Sequence, residues 1–519
     1  MASNTPRCDA AAIVAALTGS TAPALRAFVE QQRWFAAKAR GLASVRVEDW
    51  AALRDDPPLV LLLLRADEAR YYVPLALGQP PTDVTRTIGP LGGETLFDAH
   101  WDPDFGLCLL DAIASRRAFR SAHGSFRCVS VEPWDRSSWD ELDRAPATPH
   151  AGEQSNTSIF FDRRLILKSI RRPQSGINPD FEMLLFLSER PGFTHVPRLA
   201  GWVDYTAEGE TTTVALLQQF VANAGDGWAH VLARLGHLCQ ALPAQGGGPG
   251  EVEQQAASLG TDLLAEIHEL GAVTGRLHAA LASDPSAPAF RPEPISREDV
   301  GRWRRGIVQD VEALTAEIAA GSARIPAATR AALEPLVDAR AQIERAAHDL
   351  FLLADGTVHK IRCHGDYHLG QVLKTAESFV VIDFEGEPAR PLEERRAKHC
   401  PLRDVAGMLR SFDYAVHAAL AARPGAARAG LRPALEAWER LAASQFLDGY
   451  VMAAGKSPAR LLPPSAEAVR RACAVFELEK ACYELRYELN NRPDWISIPL
   501  AGISRILGRS DGGRPDRRD

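Results

Sequence analysis

The hydrophobic period of this chain changes partway along, and that change limits its fold more than any other feature. As far as about residue 222 the apolar residues fall in short strand-like runs: "SIFFD" and "RLILKSI" flank a tight turn at Asp162, Arg163 and Arg164, and "LVLLLL" (59–64) followed by "RADEARYYVPLAL" reads as a buried hairpin turning over 66–69. Beyond that point the period is helical, in "DLLAEIHELGAVTGRLHAAL", "RAALEPLVDARAQIERAAHDL" and the segments 433–454 and 466–490. Strands first and helices after predict an α+β class. With 519 residues the chain exceeds one ordinary domain.

The boundaries follow from the same pattern. Residues 1–95 alternate helix-like and strand-like pieces and form a leading subdomain; 96–222 are strand-rich with a single helix; 223–507 are mainly helical; the polar, Gly/Pro-rich 508–519 is expected to be disordered. The lone helix of the strand-rich part has a marked start, where Asn178 caps free amides, Pro179 suits the first helical position and Asp180 complements the helix dipole. "ALPAQGGGPG" (241–250) reads as a surface loop.

Charge and cysteine usage narrow the class. A net charge of -7 and a pI near 6.1, with no basic stripe interleaved with aromatics, argue against a nucleic-acid partner. Eight scattered cysteines without a C-x-x-C spacing read as reduced thiols. No apolar run reaches membrane length, and the N-terminal one follows Asp9 without a basic lead, so it reads as a helix; the expectation is a soluble, cytoplasmic protein with no membrane partner.

Into the helical half breaks "RCHGDYHLGQVLKTAESFVVIDFEGEPARPL" (362–392), which holds aspartates, histidines and a glutamine among strand-like runs. Phosphoryl transfer needs a carboxylate to accept the proton of the attacking hydroxyl, ligands for magnesium and a cation on the nucleotide phosphates. Asp366 in "HGD" is the candidate base; Gln371, five residues on, and Asp383 at the end of "VVID" are the candidate metal ligands. Carboxylate and amide oxygens suit magnesium, and the His-x-Asp-x-His grouping leaves zinc as a lesser alternative. Lys168, ending "RLILK", could reach phosphates with Glu182 of the following helix as its ion-pair partner. Ser155, Asn156, Thr157 and Ser158, in a loop without G-x-G-x-x-G, would cover the phosphates, and backbone groups near Gln219 and Val221 would hold the purine edge. Each has a bland reading as a turn, an edge lysine or a solvated carboxylate; together and in order they describe an ATP-using kinase. His268 and His278, on helical patterns, read as packing or surface histidines.

These motifs resemble the bacterial maltokinases, relatives of the aminoglycoside phosphotransferases with a bilobal protein-kinase-like fold. "QQRWFAAKARG" resembles their N-terminal cap, "EQSNTSIFFDRRLILK" their phosphate loop and strand lysine, "HGDYHLGQVL" and "VIDFEGEPARPLEERRAKHCPLRDVAGMLRSFDYA" their catalytic core, and "LEKACYELRYELNNRPDWISIPL" their C-terminal end. The resemblance implies transfer of the γ-phosphate of ATP to the anomeric hydroxyl of maltose, with Mg2+ as cofactor, a product that feeds α-glucan synthesis, and a trehalose synthase as partner. It implies acceptor contacts from His364, which opens the catalytic motif, and from a sugar-binding helix (476–491) carrying Lys480, Tyr483 and Tyr487 on one face with Glu484 beside them. Aromatic rings there would lie on pyranose faces while an ammonium and a carboxylate bind hydroxyls. Glucosamine kinase or another sugar kinase on the same scaffold is the first rival, aminoglycoside modification ranks behind it, and a catalytically inactive binding module is the rival from another class.

Overall fold

The computed structural model describes residues 8–35, 41–131, 147–150, 156–190, 192–242, 249–321, 333, 336 and 339–511. It has two compact units, Met1–Glu189 with Pro197–Ala222, and Arg190–Val196 with Asn223–Asp519.

Two antiparallel sheets build the first unit. Strands β1 (Val45–Arg54), β2 (Leu59–Ala66), β3 (Ala69–Tyr72), β4 (Leu75–Gly78), β5 (Thr87–Leu91) and β6 (Glu94–Asp98) form one, in the order β1-β2-β4-β6-β5 with β3 also on β2. Strands β7 (Ala118–Arg120), β8 (Gly124–Ser130), β9 (Ala147–His150), β10 (Asn156–Phe161), β11 (Leu165–Ile170), β12 (Leu199–Ala207) and β13 (Glu210–Gln219) form the other, ordered β7-β8-β12-β13-β11-β10-β9.

The run "LVLLLL" owes its unbroken apolarity to burial on both faces. Alternate side chains of β2 point oppositely: Leu59, Leu61 and Leu63 join a core with Phe126, Ile159, Phe161, Leu167 and Leu217 of the second sheet. Val60, Leu62 and Leu64 join a second core with Ile13, Leu17, Leu25 and Phe28 of the helices Ala10–Thr18 and Ala22–Gln31. The hairpin turns at Asp67, whose φ of 51° is the left-handed conformation that aspartate tolerates. Helix Pro103–Ala114 packs on the second sheet where Gly201 makes room, since a Cβ there would meet Ile113 Cγ2 at 2.5 Å. Asn178 caps helix Pro179–Ser188 as the sequence predicts, accepting from the Phe181 amide at 2.9 Å.

The second unit is helical, with two short hairpin ladders: β14 (Glu293–Pro294) on β15 (His359–Lys360), and β16 (Val372–Lys374) on β17 (Phe379–Val381). Helices Thr261–Leu281 and Gly425–Ala454 approach until backbones touch, which glycine alone permits: a Cβ on Gly271 would lie 2.0 Å from Phe446 O, and one on Gly449 2.0 Å from His268 O. The loop read at 241–250 falls largely outside the described residues. The terminal helix Ser497–Asp511 runs past residue 508, where the sequence reading began a disordered tail; Ile503, Ile506 and Leu507 are buried and carry the helix onward, while 512–519 lie outside the described residues. None of the eight cysteines is bridged. No single described helix is long and apolar enough to cross a membrane.

Candidate active site

In the second unit the loop that carries Asp366 hangs from a buried carboxylate. Asp404, in the first turn of helix Leu402–Ala421, accepts from the backbone amides of His364 (2.7 Å) and Gly365 (2.9 Å) and from His278 Nε2 (3.1 Å). Burial pushes the Asp404 carboxyl upward, but the bonds from His278 and the loop amides outweigh it and hold the group ionised below the usual range. Gly365 has φ of 86°, so the bend before Asp366 needs glycine. Gly407 lets the helix pass the loop, since a Cβ would meet Tyr367 O at 2.5 Å.

His364 does not reach outward to an acceptor as the resemblance implied. It is 1% exposed, donates from Nε2 to Ile382 O at 2.9 Å, and offers Nδ1 to the Asp366 amide at 3.4 Å. It therefore joins the Asp366 loop to the segment bearing Asp383. A second tie is the Ile382 amide on Gln371 O at 3.0 Å, so both predicted metal ligands sit on loops laced together. Asp383 has φ of 66°, a sparsely populated conformation for a side chain other than glycine and one that recurs at functional sites. Both His364 nitrogens are engaged, and His368 Nδ1 accepts from the Gly370 amide at 3.0 Å.

Asp366 Oδ1 accepts from Lys480 Nζ at 2.9 Å, and the same ammonium donates to Glu387 Oε1 at 2.8 Å. Burial alone would favour a neutral amine; Asp366 and Glu387 outweigh it and hold the Lys480 pKa well above its ordinary value. Glu387, 3% exposed, also meets Arg390 at 2.5 Å and Arg403 at 3.6 Å. Arg403 and Arg390 in turn meet Glu479 at 3.1 and 3.5 Å. The Lys480 ammonium lies 4.7 Å from the Tyr483 ring centre. Asp366, Glu387, Arg390, Glu479, Lys480 and Tyr483 line one small pocket.

The predicted sugar face is thus divided. Lys480 and Tyr483 line the pocket, whereas Glu484 turns to Arg410, its Oε2 accepting from Nε at 3.0 Å and Nη2 at 2.7 Å. Tyr487 is 47% exposed, with the Arg492 guanidinium 5.4 Å from its ring.

In the first unit Lys168 is buried on β11 and pairs with Asp180 Oδ2 at 3.1 Å. Asp180 lies one residue into the helix, with its side chain 1% exposed; the sequence reading names Glu182 of the same helix as the partner. Ser158 stands directly opposite Lys168 in the β10–β11 register. Asn156, Thr157 and Ser158 belong to strand β10 and are buried, not a loop over phosphates, and Ser155 lies outside the described residues. At the predicted hinge the Gln219 amide donates to Arg198 O at 2.8 Å, so that N–H is engaged; Val221 follows the strand end.

Sequence reasoning missed Asp404, Glu387 and the role of His278. Asp404 and Glu387 lie inside quoted motifs, "PLRDVAGM" and "FEGEP", where acidic residues among apolar ones were the available signal. Nothing local marks His278, whose partners Asp404 and Tyr450 are 126 and 172 residues away.

Residues 28–102 match the maltokinase N-terminal cap domain. A curated glucosamine kinase of Streptacidiphilus jiangxiensis is 26% identical over 375 residues, 70% of this chain and 74% of its own. Another, from Mycolicibacterium smegmatis (strain ATCC 700084 / mc(2)155), is 26% identical over 422 residues, 79% of this chain and 91% of its own. A solved glucosamine kinase in complex with glucosamine, ADP and inorganic phosphate shares the fold at 20% identity and a TM-score of 0.62, covering 93% of this chain and 99% of that one. A glucosamine kinase in crystal form A gives 0.63 at 20% identity, covering 95% of this chain and 99% of that one. The chain has in class the α+β fold of these solved glucosamine kinases. In particular it carries a maltokinase-type cap, with curated glucosamine kinases among its relatives.

Proposed function

We propose that the chain is an ATP-dependent maltokinase, moving the γ-phosphate of ATP to the anomeric hydroxyl of maltose to give maltose 1-phosphate and ADP. The observation that carries this reading is the Asp366–Lys480–Glu387 chain of contacts at 2.9 and 2.8 Å in a pocket whose carboxylates are already matched by cations. An acceptor bearing an ammonium would want an unneutralised carboxylate; here Glu387 meets three cations and Glu479 two. A neutral disaccharide needs no such group, and the cap match favours the same side. The second reading, a glucosamine kinase, is favoured by the two curated relatives.

In the transfer, the acceptor oxygen bonds the γ-phosphorus, the bridging P–O bond breaks, ADP departs and the hydroxyl proton goes to Asp366. Lys480, kept protonated, cannot serve as the base; it fixes Asp366 and donates to a sugar hydroxyl. Lys168, which pairs with Asp180 at 3.1 Å, would supply the cation for the nucleotide phosphates. Gln371 and Asp383 fit a hard divalent cation, one amide and one carboxylate oxygen donor on tied loops, and would hold magnesium. When bound, that ion neutralises charge on the phosphates. ADP release measured with maltose, glucose, glucosamine, trehalose and kanamycin tests the reading. Turnover with maltose and loss of its reducing end is expected; turnover with glucosamine and none with maltose rejects it in favour of the second reading.

A further inference from the structure

We infer that Arg171 is a positioning residue that lets the cap set nucleotide affinity, by gripping the strand pair that bears Lys168 and Ser158 from its other face. This inference rests on the phosphate role proposed for Lys168. Arg171 directly follows β11 and is fully buried. Its Nε donates to Thr157 Oγ1 at 2.8 Å, and its Nη2 to Asp98 Oδ2 at 2.6 Å. Asp98 ends β6, inside the 28–102 stretch matched as a cap domain. The Tyr72 amide of the same sheet donates to Arg171 O at 3.0 Å.

Strand geometry gives these bonds their meaning. Successive side chains alternate between the faces of a sheet. Ser158 pairs with Lys168, and Thr157 pairs with Ser169, so Thr157 and Arg171 lie on the face away from Lys168 and Ser158. The cap thereby holds the back of the strand pair whose front carries Lys168. Asp98 accepts from His100 Nδ1 at 2.7 Å and from Arg171, and both hold its carboxyl far below the usual range despite complete burial. Burial, reinforced by the Arg171 charge, pushes His100 down to about 4, so the imidazole is neutral and donates a single proton to Asp98. One buried cation therefore faces one buried anion. Thr157 takes the guanidinium donor that points towards the strand.

Thr157→Val keeps the shape and strand preference of the side chain but removes the acceptor. It should weaken ATP binding by about tenfold, equivalent to roughly 1.4 kcal/mol for a lost bond to a charged donor. Acceptor KM should stay within about twofold, and Thr157→Ser should restore ATP affinity. Asp98→Asn tests the cap end of the clamp in the same way. Direct ATP titration of the full chain, with Lys168→Ala as control and thermal melting alongside, separates the outcomes. If Lys168→Ala abolishes binding while Thr157→Val changes only the melting temperature, or shifts ATP and acceptor equally, Arg171 is merely structural and the inference fails. If Lys168→Ala leaves ATP affinity unchanged, or the wild-type chain does not bind ATP, the nucleotide reading falls and the inference falls with it.

Discussion

Asp366 and Lys480 form the contact on which the proposed chemistry turns, at 2.9 Å and with side chains only 22% and 17% exposed. Asp366→Asn keeps the shape and removes the base, so turnover should fall at least about a hundredfold while ATP affinity is retained. Turnover within a few-fold of wild type would exclude Asp366 as the proton acceptor. The charge pattern also sets a pH dependence of stability. Lys480 has its pKa raised in the folded chain, so its contribution is complete below the unfolded lysine value of about 10.4 and disappears only as pH rises through the higher folded value. Glu387 and Asp299 are shifted the other way: burial would raise each, but Lys480 and Lys360 respectively are among the partners that win, Asp299 reaching about 2. Their contributions are present above the unfolded carboxylate values near 4 and are lost as pH falls through the folded values. The melting temperature should therefore be nearly level from pH 6 to 9 as far as these groups decide it, and fall steeply below about pH 4. In Glu387→Gln the acid limb should be shallower; an unchanged limb would remove Glu387 from the linkage.

Helix Ala466–Asn491 shows how one element serves two purposes. Its Lys480 and Tyr483 line the pocket, while Glu484 locks to Arg410, which also meets Asp413 at 2.5 Å. Arg410 is 1% exposed, so Glu484→Ala leaves a buried charge partly uncompensated and should cost about 3 to 5 kcal/mol, read as a large fall in melting temperature. Tyr487→Ala should behave oppositely. Because this tyrosine is 47% exposed, its loss should leave stability within roughly 0.5 kcal/mol. If it belongs to the sugar face, maltose KM should rise about tenfold to a hundredfold with ATP KM unchanged. Equal KM values in mutant and wild type would withdraw Tyr487 from that face.

At the scale of the whole chain, the cap is not a detachable ornament. Ala51, Leu53, Leu59, Leu61, Leu63, Tyr72 and Phe97 of the first sheet share one core with Phe105, Phe126, Phe161, Val203 and Leu217. A chain beginning after residue 95 would expose the second half of that core to water, at about 1.5 to 3 kcal/mol for each large side chain left uncovered. Such a truncation should be insoluble or show no cooperative melt; a soluble, cooperatively folding product would show that the shared core is dispensable.

Much of this organisation is legible in local pattern. The Asp162–Arg164 turn, the Asn178 cap and the Asp366–Gln371 spacing are set by residues within a few positions of one another, where local sterics and hydrogen bonding act, and the switch from strand to helical period is read window by window. What only the tertiary structure decides is which polar groups meet. Lys168 meets Asp180, a carboxylate that the fold buries beside its ammonium. His364 joins two loops, Glu484 serves Arg410, Lys480 reaches Asp366 from 114 residues away, and His278 supports Asp404 from another helix. A charged side chain carries no mark in the sequence of the partner it will find. That partner is chosen when packing removes water from both, since a buried charge must be matched by whatever opposite charge the fold brings within reach.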